Sequence, residues 1–176
     1  MSKISVLMSV YKKENPEYLR ASLESILVQT RTADEILLIE DGPLTQELYQ
    51  VVAEYQKKCD YLHVHAMEQN VQLGRALAKG VELCQYDLIA RMDTDDIAMP
   101  DRLEKEGAYM EAHPEVDVVG GAIREFNDEG TIDRVKNMPK TQEEILEYVK
   151  VRNPLNHMTV MYRNCLLYTS PSPRDA

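Results

Sequence analysis

LIARMDTDDIAMPDRL, residues 88–103, decides the fold, because an apolar run passes directly into an acidic loop and then into a helix. Residues 87–92 predict a strand that is buried on both faces. Three aspartates follow within four residues, and Pro100 and Asp101 begin a helix. That helix ends at His113, because the residue before a proline is disfavoured in the helical region. The stretch therefore predicts one strand–loop–helix unit of an α/β protein.

Similar units lie on both sides of this stretch. Further strands are predicted at 4–10, 35–39, 61–64, 116–119, 122–126 and 158–162, and further helices start near residues 16, 45, 74 and 141. We expect Leu73, Leu77, Val81 and Cys84 to share one apolar face of their helix. Tyr109 is expected to face inward from the helix that begins at Pro100. Alternating strands and helices predict a mostly parallel sheet with helices on both faces, of the Rossmann-like α/β class. Ligands of such sheets bind beyond the carboxyl ends of the strands.

The amino-acid composition excludes several classes of protein. The 176 residues fit one domain, and 30 acidic against 20 basic residues give a net charge of -10. A nucleic-acid partner is not expected, because such proteins neutralise phosphates with a basic surface. Three widely spaced cysteines form no CxxC pair, which excludes a disulfide scaffold or zinc ribbon and favours a reducing compartment. We therefore predict a cytoplasmic location, with peripheral attachment at the inner face of a membrane left open.

Carboxylates follow three of the predicted strands, the first of which ends in Tyr11-Lys12-Lys13-Glu14. The second strand ends in Glu40-Asp41-Gly42, and the fourth ends in the loop that carries Asp93, Asp95 and Asp96. Acidic residues at this spacing can bind a hard divalent cation through oxygen ligands. The alternative is that the loop only caps the following helix, as aspartates often do. No glycine and terminal glutamate follow at the spacing of an EF-hand, so that kind of calcium site is excluded.

Five stretches together resemble a known family. They are SVLMSVYKKE (5–14), EILLIEDGP (35–43), NVQLGRALAKG (70–80), LIARMDTDDIAMPDRL (88–103) and NPLNHMTVMYR (153–163). In this order they are similar to the motifs of the family-2 inverting glycosyltransferases, which have the GT-A fold. The resemblance is strongest to the bacterial polysaccharide-biosynthesis branch of amylovoran type.

The resemblance implies roles for the two acidic motifs. Tyr11 and Asp41 match residues that hold the nucleotide base. Asp93 and Asp95 match the DxD motif, which contacts the ribose and a Mn²⁺ or Mg²⁺ ion on the diphosphate. Asp96 is the extra acid of the DxDD form and is expected to share the metal site.

The resemblance also implies flanking contacts. It places Asn70, Gly74 and Arg75 at the loop and helix start that line the donor pocket. Arg91 ends the acidic strand and is predicted to approach the donor, with a structural ion pair to the acids as the alternative.

A later motif is expected on the acceptor side. Asn153, Asn156 and His157 belong to it, and His157 can equally be a structural histidine. An inverting transferase also needs a carboxylate base for the acceptor hydroxyl. In this family the base follows later in the chain, so we expect it beyond residue 164.

The implied activity is transfer of a sugar from a nucleotide-diphosphate sugar, with a UDP-sugar favoured, to a glycan or lipid-linked acceptor. Two alternatives stay open: a nucleotide-sugar-binding module without the catalytic base, and another α/β nucleotide enzyme such as a nucleotidyltransferase. The second would need a phosphate loop rich in glycine and lysine after the first strand, and residues 9–14 do not provide one.

The last twelve residues differ in character from the rest. CLLYTSPSPRDA, residues 165–176, resembles the translation of a transposon-type sequencing adapter, and the alternative is a natural Ser/Pro-rich disordered tail. We therefore predict a partial glycosyltransferase domain over residues 1–164, with its carboxyl-terminal part missing.

Overall fold

The computed structural model describes residues 1–127 and 133–164 of the chain. The elements in chain order are β1 Ile4–Val10, α1 Pro16–Leu27, β2 Glu35–Glu40, α2 Gln46–Lys58, β3 Leu62–Ala66, α3 Leu73–Leu83, β4 Leu88–Arg91, α4 Arg102–Ala112, β5 Val118–Val119, β6 Ile123–Phe126, β7 Asp133–Lys136, α5 Gln142–Tyr148, a 3₁₀ helix His157–Thr159 and β8 Met161–Arg163. The predicted alternation of strands and helices is therefore confirmed over the first 112 residues. The predicted tail, residues 165–176, lies outside the described residues.

The main sheet has six strands in the order β3-β2-β1-β4-β8-β5. The first four in this order are parallel, and β8 runs antiparallel to both of its neighbours. The predicted mostly parallel sheet is thus confirmed. Because β1, β2 and β4 are parallel neighbours, their carboxyl ends and the loops that follow meet at one edge of the sheet. We call this the carboxyl edge.

Helices cover both faces of the sheet. One core lies between the sheet and helices α1, α2 and α4; its buried members include Met8, Leu38, Leu19, Leu48 and Leu103. A smaller core lies between the opposite face and α3, with Leu7, Ile39 and Ala76. Successive residues of β1 and β2 therefore alternate between two cores, which explains why these strands are apolar throughout.

The inward position predicted for Tyr109 is wrong, since its side chain is almost half exposed, and Leu73 on the apolar face of α3 is exposed to a similar extent. The buried residues of α3 are the small Ala76 and Gly80. A Cβ at Gly80 would lie only 2.4 Å from Leu7 Cδ1, so the helix approaches the sheet through its small residues. Leu73 is left at the surface as a result. Tyr109 instead lies against the His113 ring, with 4.4 Å between ring centroids.

Two segments near the end of the described chain also differ from prediction. The strand predicted at 158–162 is shorter, because a 3₁₀ turn occupies its first part. Thr159 closes this turn by donating from its backbone N and its hydroxyl to the Asn156 carbonyl, at 2.9 and 2.8 Å. Strand β7 was not predicted, because its pairing with β6 uses exposed ion pairs such as Arg124–Asp133 rather than an apolar pattern.

Candidate functional site

Asp41 ties the loops after β2 and β3 together at the carboxyl edge. It is 4% exposed, and its backbone N donates to the Val10 carbonyl of β1. One carboxylate oxygen accepts from Asn70 Nδ2 at 2.9 Å, and the other accepts from the Val71 backbone N at 2.6 Å. Tyr11, which directly follows Val10, keeps 43% of its surface exposed. Three of the residues predicted to hold the nucleotide therefore lie at this edge, and two of them are in direct contact.

The acidic loop, residues 93–101, follows β4 at the same edge. Asp93, Asp95 and Asp96 each place one carboxylate oxygen within 4.8 Å of the others, a spacing that suits one divalent cation. Asp95 is exposed, and the other two are partly buried. The sequence-predicted set is thus brought together, and hard oxygen ligands are the kind that Mn²⁺ and Mg²⁺ prefer.

The three acids differ in their partners. Both oxygens of Asp93 are engaged, with Arg91 Nη2 at 2.9 Å and His157 Nε2 at 3.3 Å. Among the residues that the structure describes, neither Asp95 nor Asp96 forms a salt bridge. Asp95 and Asp96 therefore have no salt-bridge partner that competes with a cation, whereas Asp93, the third member of the predicted metal set, also connects the loop to the 3₁₀ helix.

Burial raises the pKa of Asp96 to about 6, and repulsion from Asp95 and Asp93 adds to the effect. Without a cation, the folded chain holds a proton at Asp96 between about pH 4 and pH 6 that the unfolded chain releases. The free energy of unfolding therefore falls as the pH rises through this window. A bound divalent cation would relieve the same repulsion, so the cluster is electrostatically suited to one.

We expect Asp96→Asn to raise the free energy of unfolding at pH 7 in EDTA by about 1 kcal/mol, after allowance for partial exposure. The gain should shrink as the pH is lowered towards 4, because the wild-type carboxyl is then neutral too. Urea titrations at several pH values measure it. Asp101→Asn serves as the control and should destabilise the chain at pH 7, because Lys105 lowers the pKa of Asp101. Absence of a gain in Asp96→Asn at pH 7 would contradict this account.

Thr94 and Glu14 connect the acidic loop to the loop after β1. Thr94 is 3% exposed, and its hydroxyl lies 2.6 Å from Glu14 Oε2 and 3.4 Å from the Ser9 carbonyl. Neither residue was assigned a role from the sequence. The only signal was the presence of Glu14 among the polar residues that follow β1.

Gly74 and Arg75 lie in the first turn of α3, and both are exposed. Among the described residues, Arg75 takes part in none of the salt bridges. The Cβ position at Gly74 is open, with nothing within 4 Å, so packing does not require a glycine there. Their assignment to the donor pocket stays a prediction.

The predicted acceptor-side residues separate into two groups. His157 reaches the acidic loop through Asp93, whereas Asn153 closes a local turn by accepting from the Leu155 backbone N. Two buried donors, Asn156 Nδ2 and Arg91 Nε, have no hydrogen-bond partner within the described ranges. Buried donors are normally paired, so these two are candidates to bind a ligand at this edge.

A cleft of about 780 Å³ borders the acidic loop on the side of α4 and the 3₁₀ helix. Its lining includes Asp96, Ile97, Met99, Phe126 and Met158. The cleft therefore places a largely apolar space beside Asp96, bordered on one side by Met158 and Thr159.

The model of the glycosyl transferase family 2 matches residues 5–170 of this sequence. The chain belongs to glycosyl transferase family 2. The matched range contains the carboxyl edge with its acidic loop, and it extends six residues beyond the predicted domain boundary at residue 164. The resemblance of the five motifs is thereby confirmed.

Curated bacterial relatives cover most of this chain. An uncharacterized glycosyltransferase of Haemophilus influenzae is 48% identical over 162 residues, which are 92% of this chain and 60% of that protein. The amylovoran biosynthesis glycosyltransferase AmsE of Erwinia amylovora is 44% identical over 159 residues, 90% of this chain and 59% of that protein. The UDP-Gal:alpha-D-GlcNAc-diphosphoundecaprenol beta-1,3-galactosyltransferase of Escherichia coli is 35% identical over 169 residues, which are 93% of this chain and 59% of that protein. The chain thus spans about six-tenths of the length of these relatives.

The fold is shared with TarS of S. aureus. The structure of TarS 1-349 in complex with UDP-GlcNAc has a TM-score of 0.73 and 21% identity, and the match covers 94% of this chain and 46% of that one. The complex with UDP gives a TM-score of 0.72. The GT-A fold predicted from the sequence is therefore confirmed. Within the described residues, no helix is long and apolar enough to cross a membrane.

Proposed function

We propose that the chain forms the donor-binding part of an inverting glycosyltransferase of cell-surface polysaccharide biosynthesis. The observation that carries the proposal is the meeting of Asp41 and the acidic loop at one edge of a GT-A sheet. The donor is a nucleotide-diphosphate sugar, and a UDP-sugar is favoured because the Escherichia coli relative is named for UDP-Gal and the TarS complexes contain UDP and UDP-GlcNAc.

Each part of the edge has a task in donor binding. The exposed ring of Tyr11 stacks on the base, and Asp41, held by Asn70 and the Val71 backbone, accepts from the base edge through its remaining lone pairs. Asp95 and Asp96 would hold Mn²⁺ or Mg²⁺, and the bound ion would supply positive charge to offset the charge that develops on the departing diphosphate. The role of Arg91 is to orient the Asp93 carboxylate through their ion pair, rather than to contact the metal.

The acceptor is a glycan or a lipid-linked glycan that approaches from the side of Asn156 and His157, next to the part of the cleft that Met158 and Thr159 line. Three observations support this side: His157 contacts Asp93, Asn156 Nδ2 is unpaired among the described residues, and Met158 lines the cleft. The acceptor of the Escherichia coli relative is named as a diphosphoundecaprenol, which carries a long apolar chain.

A nucleotide-sugar-binding module without a catalytic base is the second candidate. It is supported by the carboxylates at this edge, because three of them are already bonded within the chain. Asp41 accepts from the loop after β3, and Glu14 accepts from Thr94. Asp93 contacts Arg91 and His157. Assigning Asp95 and Asp96 to the metal leaves none of these five carboxylates free to act as the base.

A side-by-side assay of the 176-residue chain and a chain extended to the length of its relatives distinguishes the two candidates. We expect the 176-residue chain to release nucleoside diphosphate with acceptor at least about 10²-fold more slowly, because a missing general base costs about 10²–10⁴ in rate. The extended chain should form a glycoside of inverted anomeric configuration. Comparable turnover by both chains would show that a base lies within these 176 residues.

A further inference from the structure

Gln29 joins two helices to the acidic loop. It directly follows the C-cap residue of α1 and is 7% exposed. Its Nε2 donates to the carbonyls of Ser25 and Met99 at 3.0 and 2.7 Å, and its Oε1 accepts from the Leu103 backbone N at 3.0 Å. Leu103 lies in the first turn of α4, whose own N-cap, Asp101, makes no side-chain capping bond. Gln29 therefore caps α4 from outside that helix.

Two serines of α1 extend the same contact. Ser25 Oγ accepts from the Ala98 backbone N at 3.0 Å, and Ser22 Oγ donates to the Asp93 carbonyl at 2.9 Å. Ser22 and Ser25 lie three positions apart on one face of α1, and Gln29 follows the end of this helix and donates back to the Ser25 carbonyl. We name Ser22, Ser25 and Gln29 the α1 clamp.

The α1 clamp holds the acidic loop on both sides of its tip. Its bonds reach Asp93 before the tip and Ala98, Met99 and Leu103 after it, and the Thr30 backbone N adds a bond to the Pro100 carbonyl at 2.8 Å. Asp95 lies between these fixed points, at the tip, and is exposed.

The arrangement matters because three carboxylates within 4.8 Å repel one another when no cation is bound. A loop held only at its strand end would spread under this repulsion, and a cation would then have to draw it together again. We propose that the α1 clamp is a positioning device that keeps Asp95 and Asp96 at ligand spacing before the cation and nucleotide arrive. This inference rests on the proposed function and assigns the residues that prepare its metal site.

Ser25→Ala and Ser5→Ala form a matched pair for the test. Both serines are buried and hydrogen-bonded, at 6% and 0% exposure, but Ser5 lies at the opposite end of the sheet, where it donates to Glu35 and accepts from the Tyr86 backbone N. Gln29→Met, which keeps the side-chain length and removes the polar atoms, is the second test variant. Amide hydrogen exchange and the affinity for UDP with Mn²⁺ are measured on the 176-residue chain.

We expect Ser25→Ala and Gln29→Met to speed amide exchange over residues 93–103 at least about tenfold and to weaken Mn²⁺–UDP binding by a similar factor. Ser5→Ala should speed amide exchange near residue 86 and change the affinity for UDP by less than about twofold. Its melting temperature should fall by about as much as those of the two clamp variants. If Gln29→Met does not fold, Ser25→Ala carries the test.

Two results would overturn the inference: unchanged exchange over 93–103 in the clamp variants, or an equal loss of UDP affinity in Ser5→Ala. If the wild-type chain binds no UDP with Mn²⁺, the proposed function fails separately. The exchange comparison then still decides whether the α1 clamp holds the loop.

Discussion

Asp95→Ala is expected to lower the affinity of the chain for Mn²⁺ by more than about 100-fold. Asp95 is the exposed member of the cluster and forms no salt bridge within the described part of the chain, so its oxygens are open to the ion. Loss of an indirect partner at a metal site already costs about 10–100-fold, and loss of a direct ligand should cost more. Electron paramagnetic resonance of free Mn²⁺ measures this affinity without nucleotide.

Asp60→Ala is the matched control, because Asp60 is also exposed but lies just before β3, at the opposite end of the sheet. Neither exposed substitution should shift the free energy of unfolding by more than about 0.5 kcal/mol. An Asp95→Ala chain that binds Mn²⁺ as tightly as the Asp60→Ala chain would remove the acidic loop from the metal site.

Gly42→Ala is expected to destabilise the chain by about 2–4 kcal/mol and to weaken UDP binding. Gly42 has a φ of +83°, in the left-handed region, and a Cβ there would lie 2.5 Å from the Asn70 backbone N. The backbone of the β3 loop would have to move, and Asn70 would then lose its bond to Asp41. Urea unfolding and UDP calorimetry measure the two effects.

Gly74→Ala is the control for stability. Its Cβ position is open and it lies in α3, so alanine should leave stability unchanged or raise it by up to about 1 kcal/mol. Similar unfolding curves for the two glycine variants would show that the loops after β2 and β3 are not in close contact in solution.

The sequence predicts the centre of this fold well and its periphery poorly. Strands β1 and β2 are buried on both faces, so their apolar runs are long and unambiguous. Strand β7 has no such pattern, since exposed ion pairs connect it to β6. The exposure of Leu73 depends on how closely Gly80 lets α3 approach the sheet, which is a tertiary property.

The candidate site is likewise predicted only in part from the sequence. The clustering of Asp93, Asp95 and Asp96 follows from their spacing on one loop after a buried strand. The partners of these three aspartates do not follow from that spacing, because His157 comes from a segment 64 residues further along the chain. The α1 clamp was also missed, since Gln29 lies 74 residues from Leu103 and resembles any polar residue at a helix end.

The most direct test of the central claim is calorimetric titration of the 176-residue chain with UDP, once with Mn²⁺ and once with EDTA. The geometry of Asp41 and the acidic loop predicts binding with Mn²⁺ and affinity at least about tenfold lower in EDTA, because Asp95 and Asp96 would hold the cation that offsets the charge of the diphosphate. Equal affinity under both conditions would contradict a metal-bridged donor site at the carboxyl edge.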